Sequence, residues 1–98
     1  ARAFAGRIVR EGGWTLSGKV TWAFGRALAR KPTGDETRLL EGLFRQQRAR
    51  YRADEPAARE LISADAAPGA KKIAPADLAA WTSVARAILN LHETITRN

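Results

Sequence analysis

Apolar residues recur at three- and four-residue steps along most of the chain, which predicts amphipathic α-helices that each bury one side. The most regular stretch is 75–98, PADLAAWTSVARAILNLHETITRN. Its apolar stripe comprises Leu78, Trp81, Val84, Ala85, Ile88, Leu91 and Ile95, and its polar side carries Thr82, Ser83, Arg86, Asn90 and Glu93. A helix that is half polar cannot span a membrane, so we expect this one to pack against the rest of the chain.

Two helices are predicted in the first third of the sequence. Residues 1–11 place Phe4, Ala5, Ile8 and Val9 on one side, and Gly12 with Gly13 supplies the left-handed geometry that ends a helix. The second helix begins near Thr15 or Ser17, either of which can cap it, and runs to about Arg30. Its core face consists of Leu16, Val20, Phe24, Ala27 and Leu28.

Two tryptophans lie off these apolar stripes. Trp14 follows the glycine pair and is expected to cover the junction between the two helices. Trp22 falls opposite the core face of the second helix, near Arg26 and Ala29. It therefore either meets the first helix or marks a surface that another part of a protein covers.

The clearest helix boundary is KPTGDE at 31–36. Pro32 ends the preceding helix, and Thr33 with Glu36 forms a capping box in which each side chain bonds the other residue's backbone N–H. The third helix then spans about 34–53. We expect it to bury Leu39, Leu40, Leu43, Phe44 and Tyr51, with Gln47 along the same side.

A short fourth helix is predicted over 56–64, because Asp54 can cap it and Pro56 suits its first turn. Leu61 and Ile62 are expected to anchor this helix. Residues 63–74, SADAAPGAKKIA, predict a surface loop that leads to the last helix, with Ile73 tucked in before it.

The predicted class is all-α, because no alternating pattern is long enough for a strand and no heptad run is present. We expect one domain over 1–98, a small bundle of four to five helices in which the last packs across helices two and three. The predicted core unites Phe24, Leu43, Phe44, Trp81, Ile88 and Leu91.

Composition narrows the chemistry that the segment can perform. The 98 residues include no cysteine, which excludes disulfides, thiolate catalysis, Cys-ligated zinc and the C-x-x-C-H haem attachment motif within this segment. No methionine is present and the sequence starts at Ala1, so we expect a processed or excised segment of a longer protein.

The net charge of +7 is concentrated in the first half of the chain. Residues 1–52 hold 12 Lys and Arg against 4 Asp and Glu, whereas residues 53–98 hold 5 against 6. Such asymmetry favours an anionic partner. Arginine outnumbers lysine 13 to 4, as expected from GC-rich coding, so composition bias explains part of this charge.

No catalytic constellation is visible, and we assign no catalytic, cofactor-binding or metal-ligating residue. His92 is the single histidine, and a helical Glu93 points about 100° away from it, so the pair cannot chelate a metal. We expect His92 to be partly buried and bonded to a neighbour. The adjacent acids at 35–36 and 54–55 have sufficient roles in capping helices and in balancing their dipoles.

The candidate site is a basic face on the third helix, formed by Arg38, Arg45, Arg48 and Arg52. Such a face could contact phosphates with marked salt dependence, which makes a nucleic-acid-binding module the alternative function. Glu41 interrupts the face, and the aromatic residues belong to apolar stripes rather than exposed platforms. A solvated face, or one that docks on an acidic protein surface or on its own polypeptide, is therefore favoured.

Two elements resemble a known family. One is R-x-P-T-x-x-E, here Arg30, Pro32, Thr33 and Glu36, and the other is A-W-x-x-x-A-x-x-x-L-N-x-x-E, here Ala80, Trp81, Ala85, Leu89, Asn90 and Glu93. Together with the sequence from about Trp22 onward, they resemble the C-terminal domain of large planctomycete-type proteins of unknown function, which often carry a cytochrome-c-like domain. His92 stands where the family's ending has aspartate.

The resemblance implies a helical tail of an exported, cytochrome-associated protein, periplasmic or extracellular, with any haem carried elsewhere in the parent. It implies partners among the other domains of the same polypeptide or within a protein complex. The expected function is that of a non-catalytic packing or interaction domain. Polar contacts at the helix end are expected from Asn90, His92, Glu93 and Arg97, with Glu93 and Arg97 forming an i,i+4 pair.

Overall fold

The computed structural model describes residues 2–62 and 74–96, with side chains at 3–61 and 74–91. These residues form five α-helices: α1 (Arg2–Glu11), α2 (Leu16–Leu28), α3 (Gly34–Ala53), α4 (Glu55–Ile62) and α5 (Pro75–Thr96). The described residues contain no strand, which confirms the predicted all-α class.

The α1–α2 connection follows the predicted chemistry. Gly13 has a φ of 93°, the left-handed conformation that glycine adopts without strain. The Thr15 hydroxyl oxygen accepts a hydrogen bond of 2.9 Å from the Gly18 N–H and caps α2. Ala29 ends α2 with a φ of 58°, so the helix stops at Leu28, two residues before the predicted end at Arg30.

The predicted capping box and the predicted bounds of α3 are both confirmed. The Glu36 N–H donates to the Thr33 hydroxyl at 3.1 Å, and the Thr33 N–H donates to the Glu36 carboxylate at 2.8 Å. Arg30 donates two further bonds to the same carboxylate, at 2.9 and 3.0 Å. These bonds from Arg30 and Thr33 lower the pKa of Glu36 to about 2.

The start of α4 also matches its predicted cap. The Ala57 N–H donates to the Asp54 carboxylate at 3.2 Å, and the helix begins at Glu55, one residue before the predicted start. Ala58 is fully buried and Leu61 is half-buried. The predicted extension to 64, the loop predicted from 63 and the tucked Ile73 lie outside the described residues, as does the side chain of Ile62.

The core is centred on α5, which packs across α2 and α3 as predicted and also against α1 and α4. Its buried members come from four helices: Ala5, Ile8, Val20, Ala23, Phe24, Leu40, Phe44, Leu78, Ala80, Trp81, Val84, Ala85 and Ile88. The rings of Phe44 and Trp81 are 4.5 Å apart between centroids. The predicted core is thus confirmed for Phe24, Phe44, Trp81 and Ile88, while Leu43 is only partly buried.

Three predictions about apolar side chains are wrong. Leu39 is 74% exposed, because Leu40 occupies the core position and successive helical residues point about 100° apart. Leu91 is 42% exposed. Trp14 is 100% exposed, so it does not cover the α1–α2 junction.

One polar prediction on α5 is also wrong. Thr82, assigned to the wet side, is completely buried. Its hydroxyl donates to the Leu78 carbonyl at 2.8 Å, and this bond within the helix satisfies the group without water. Because α5 contacts all four other helices, part of its polar side is covered as well as its apolar stripe.

Candidate interaction surface

The four arginines of the predicted basic face on α3 differ in how available their charges are. Arg38 forms an ion pair with Asp35, one turn earlier in the helix. The Arg52 guanidinium lies 3.9 Å from the Asp77 carboxylate of α5. The Arg48 guanidinium lies over the Phe44 ring, 5.2 Å from its centroid. Arg45 is exposed and forms no hydrogen bond or ion pair with the described residues.

The charge of the basic face is therefore partly neutralised, and Arg45 is the arginine of the four that remains available to a partner. The Arg38–Asp35 pair is highly exposed on both sides, at 76% and 90%, so water screens it strongly. Arg48 is half-buried, and its stacking on Phe44 holds it close to the protein surface. Among these four arginines, only Arg45 is both exposed and without an ion pair, hydrogen bond or ring contact within the described residues.

Beside the basic face lies an apolar groove that sequence reasoning missed. It is lined by Arg38, Leu39, Gly42, Leu43 and Gln46. A side chain at Gly42 would meet no atom within 4 Å, so the floor of the groove is open to a partner. The signal that could have revealed the groove is the pair Leu39-Leu40, since adjacent helical residues point about 100° apart and both are buried only where packing elements cover a wide face of the helix.

A second concave surface lies where α1, α2 and α5 meet. Trp22 meets Phe4 of α1 at 6.3 Å between ring centroids, which confirms the intramolecular interpretation of this tryptophan. The guanidinium groups of Arg7 and Arg26 lie 5.7 and 5.5 Å from the centre of the Trp22 ring. The adjoining cleft is lined by Phe4, Arg7, Arg26, Ala27 and Leu89.

The polar residues predicted at the chain end are only partly described. Asn90 is exposed on α5. The backbone of α5 continues through positions 92 and 93, but the side chains of His92 and Glu93 lie outside the described part. Arg97 also lies outside it, so its expected pairing with Glu93 stays a prediction.

The described residues contain no group of three or more histidine, cysteine, aspartate or glutamate side chains able to hold a metal ion. None of the helices in the described ranges is long and apolar enough to cross a membrane.

Comparisons with known proteins add no relative to this picture. No protein-family model, curated protein or solved structure matches the chain. The interpretation of the site therefore rests on its own geometry.

Proposed function

We propose that this chain is a non-catalytic helical interaction domain of a larger exported, cytochrome-associated protein. In this proposal the outer side of α3 docks on another domain of the same polypeptide. The observation that supports it is that α3 presents both an exposed apolar side chain, Leu39, and an available cation, Arg45, on its surface. An acidic surface that presents an apolar side chain would complement both.

Leu39 is the residue that favours a protein partner. A leucine that is 74% exposed beside an open glycine floor gains free energy when an apolar group covers it. A phosphate backbone offers no such group, because its contacts are made by cations and hydrogen-bond donors. Contact with Leu39 would therefore stabilise a complex with a protein but not one with a nucleic acid backbone.

Photo-crosslinking in the full-length polypeptide tests this docking. A benzoylphenylalanine residue at position 39 should crosslink to an acidic segment of another domain, identified by mass spectrometry. Position 59 on α4, which is also exposed, provides the matched control and should give no such product. Equal yields from both positions, or an adduct with nucleic acid at position 39, would contradict the proposal.

The alternative is a nucleic-acid-binding module, and the free guanidinium of Arg45 is the observation that favours it. It predicts duplex binding at about 50 mM salt that falls steeply as salt rises. Binding should then drop in the double variant Arg45→Gln, Arg48→Gln and persist in Leu39→Ser. Two results together would eliminate this alternative: the parent chain does not bind a duplex, and the Leu39→Ser variant no longer docks on the other domain.

A further inference from the structure

The cleft where α1, α2 and α5 meet shares no lining residue with the groove on α3, and its lining has a distinct chemistry. Phe4, Ala27 and Leu89 supply an apolar lining, and Arg7 and Arg26 bring two cations to the same cleft. The volume is about 300 Å³, which is at the lower end of the range for pockets that hold small ligands. Its dimensions therefore favour a short molecule.

The two arginines are held in place without losing their capacity to bind. Each guanidinium lies near the Trp22 ring, at 5.7 Å for Arg7 and 5.5 Å for Arg26. A guanidinium in such a cation–π contact still presents N–H donors, which can bind a carboxylate or phosphate in two-point fashion. The contacts favour these positions of the arginine side chains before a ligand arrives, which reduces the entropy lost on binding.

The charge of this cluster is incompletely balanced. The Arg7 Nε donates to the Glu11 carboxylate at 3.1 Å, an exposed i,i+4 pair. Arg26 is exposed and has no hydrogen bond or ion pair with any residue in the described part of the chain. One cation beside the apolar lining therefore remains without an acidic partner.

We infer that this cleft binds a small organic anion, namely an acid whose charged head is joined to a short apolar body. The head would lie between Arg26 and the free N–H groups of Arg7, and the apolar body would lie against Phe4, Ala27 and Leu89. The site is open on one side, so we expect a dissociation constant on the order of 1 mM or somewhat below for a ligand of this size.

Titration with hexanoate, followed by NMR, tests the inference. The indole N–H signal of Trp22 should shift together with the signals of Phe4, Ala27 and Leu89. Hexanol has a similar apolar body without the charge and should bind about tenfold more weakly or worse, since a charge-assisted hydrogen bond is worth about a factor of ten or more. Acetate has the charge without the body and should also bind more weakly, because it buries little apolar area.

Two matched variants decide whether the cleft is responsible. Arg26→Gln should weaken hexanoate binding about tenfold. Arg59→Gln removes the same charge from an exposed position on α4 and should leave the affinity unchanged. Equal weakening in both variants, equal binding of hexanoate and hexanol, or shifts spread over other surfaces would overturn the inference. These outcomes are independent of whether α3 docks on another domain.

Discussion

The rings of Phe44 in α3 and Trp81 in α5 pack at 4.5 Å between centroids with an interplanar angle of 39°. Both side chains are buried, at 5% and 3% exposure, and they join the two longest helices of the bundle. Aromatic pairs in such tilted arrangements contribute beyond the area they bury. This contact therefore links the helix proposed to dock to the helix at the centre of the core.

Removal of the Trp81 ring should destabilise the domain strongly. Trp81→Ala leaves a large cavity, and we expect it to lower the free energy of unfolding by about 3–5 kcal/mol. Trp14→Ala is the matched control, since Trp14 is fully exposed and its removal should cost less than about 0.5 kcal/mol. Chemical denaturation measures both. A Trp81 variant as stable as the Trp14 variant would contradict the position assigned to this ring.

The adjacent leucines of α3 provide a second comparison within one helix. Leu40 is 3% exposed and Leu39 is 74% exposed. Leu40→Ala should cost about 2–5 kcal/mol through lost burial and a cavity, whereas Leu39→Ala should change stability by less than about 0.5 kcal/mol. Equal losses in thermal and urea unfolding would show that both leucines point into the core.

Lowering the pH should remove the stabilisation that the Glu36 carboxylate contributes to the fold. Arg30 and Thr33 lower the pKa of the Glu36 carboxyl from 4.5 to about 2 in the folded chain. A carboxyl with a lowered folded-state pKa stabilises the fold above its unfolded pKa, and this contribution is lost as the pH falls from about 4.5 towards 2. Arg30→Gln should therefore flatten the decline in unfolding free energy over this interval.

Lys31→Gln is the control for that experiment. It removes a cation next to Arg30, but Lys31 makes no ion pair with Glu36. The profile of unfolding free energy against pH should keep the slope of the parent chain between pH 4.5 and 2. A slope that changes equally in both variants would mean that net charge, rather than the Arg30–Glu36 contact, controls acid stability.

Two glycines should respond in opposite directions to alanine. A side chain at Gly12 would lie 2.5 Å from the Ile8 carbonyl oxygen and 3.0 Å from the Lys19 Cα, so backbone would have to move. Gly25→Ala, within α2, would meet its nearest atom at 4.0 Å. Alanine should stabilise the helix at Gly25 by about 0.5–1 kcal/mol and should destabilise the fold at Gly12. Melting temperatures of the two variants check both signs.

Local sequence signals predicted the helices well because each boundary has its own chemistry. Thr33 and Glu36 cap α3 by two hydrogen bonds between residues three apart, and neither bond depends on the rest of the fold. Gly13 and Asp54 act in the same local way. For such positions, spacing in the sequence is sufficient.

Burial was less predictable because it depends on which helices surround a residue. Projection onto a single helix placed Thr82 in water. In the structure α5 contacts four other helices, and the buried Thr82 hydroxyl donates a hydrogen bond to the Leu78 carbonyl. The same projection placed Leu39 in the core, where Leu40 lies instead. Of the candidate site, the four arginines could be named from their helical spacing, whereas the groove at Leu39 and the cleft at Arg26 required the tertiary packing.

The most direct test of the proposed function is the intact mass and visible absorption of the molecule that carries this sequence, isolated from its source. The account predicts a polypeptide much larger than 10.7 kDa, with a haem Soret band contributed by another domain. A free chain of 10.7 kDa that copurifies with nucleic acid would contradict it.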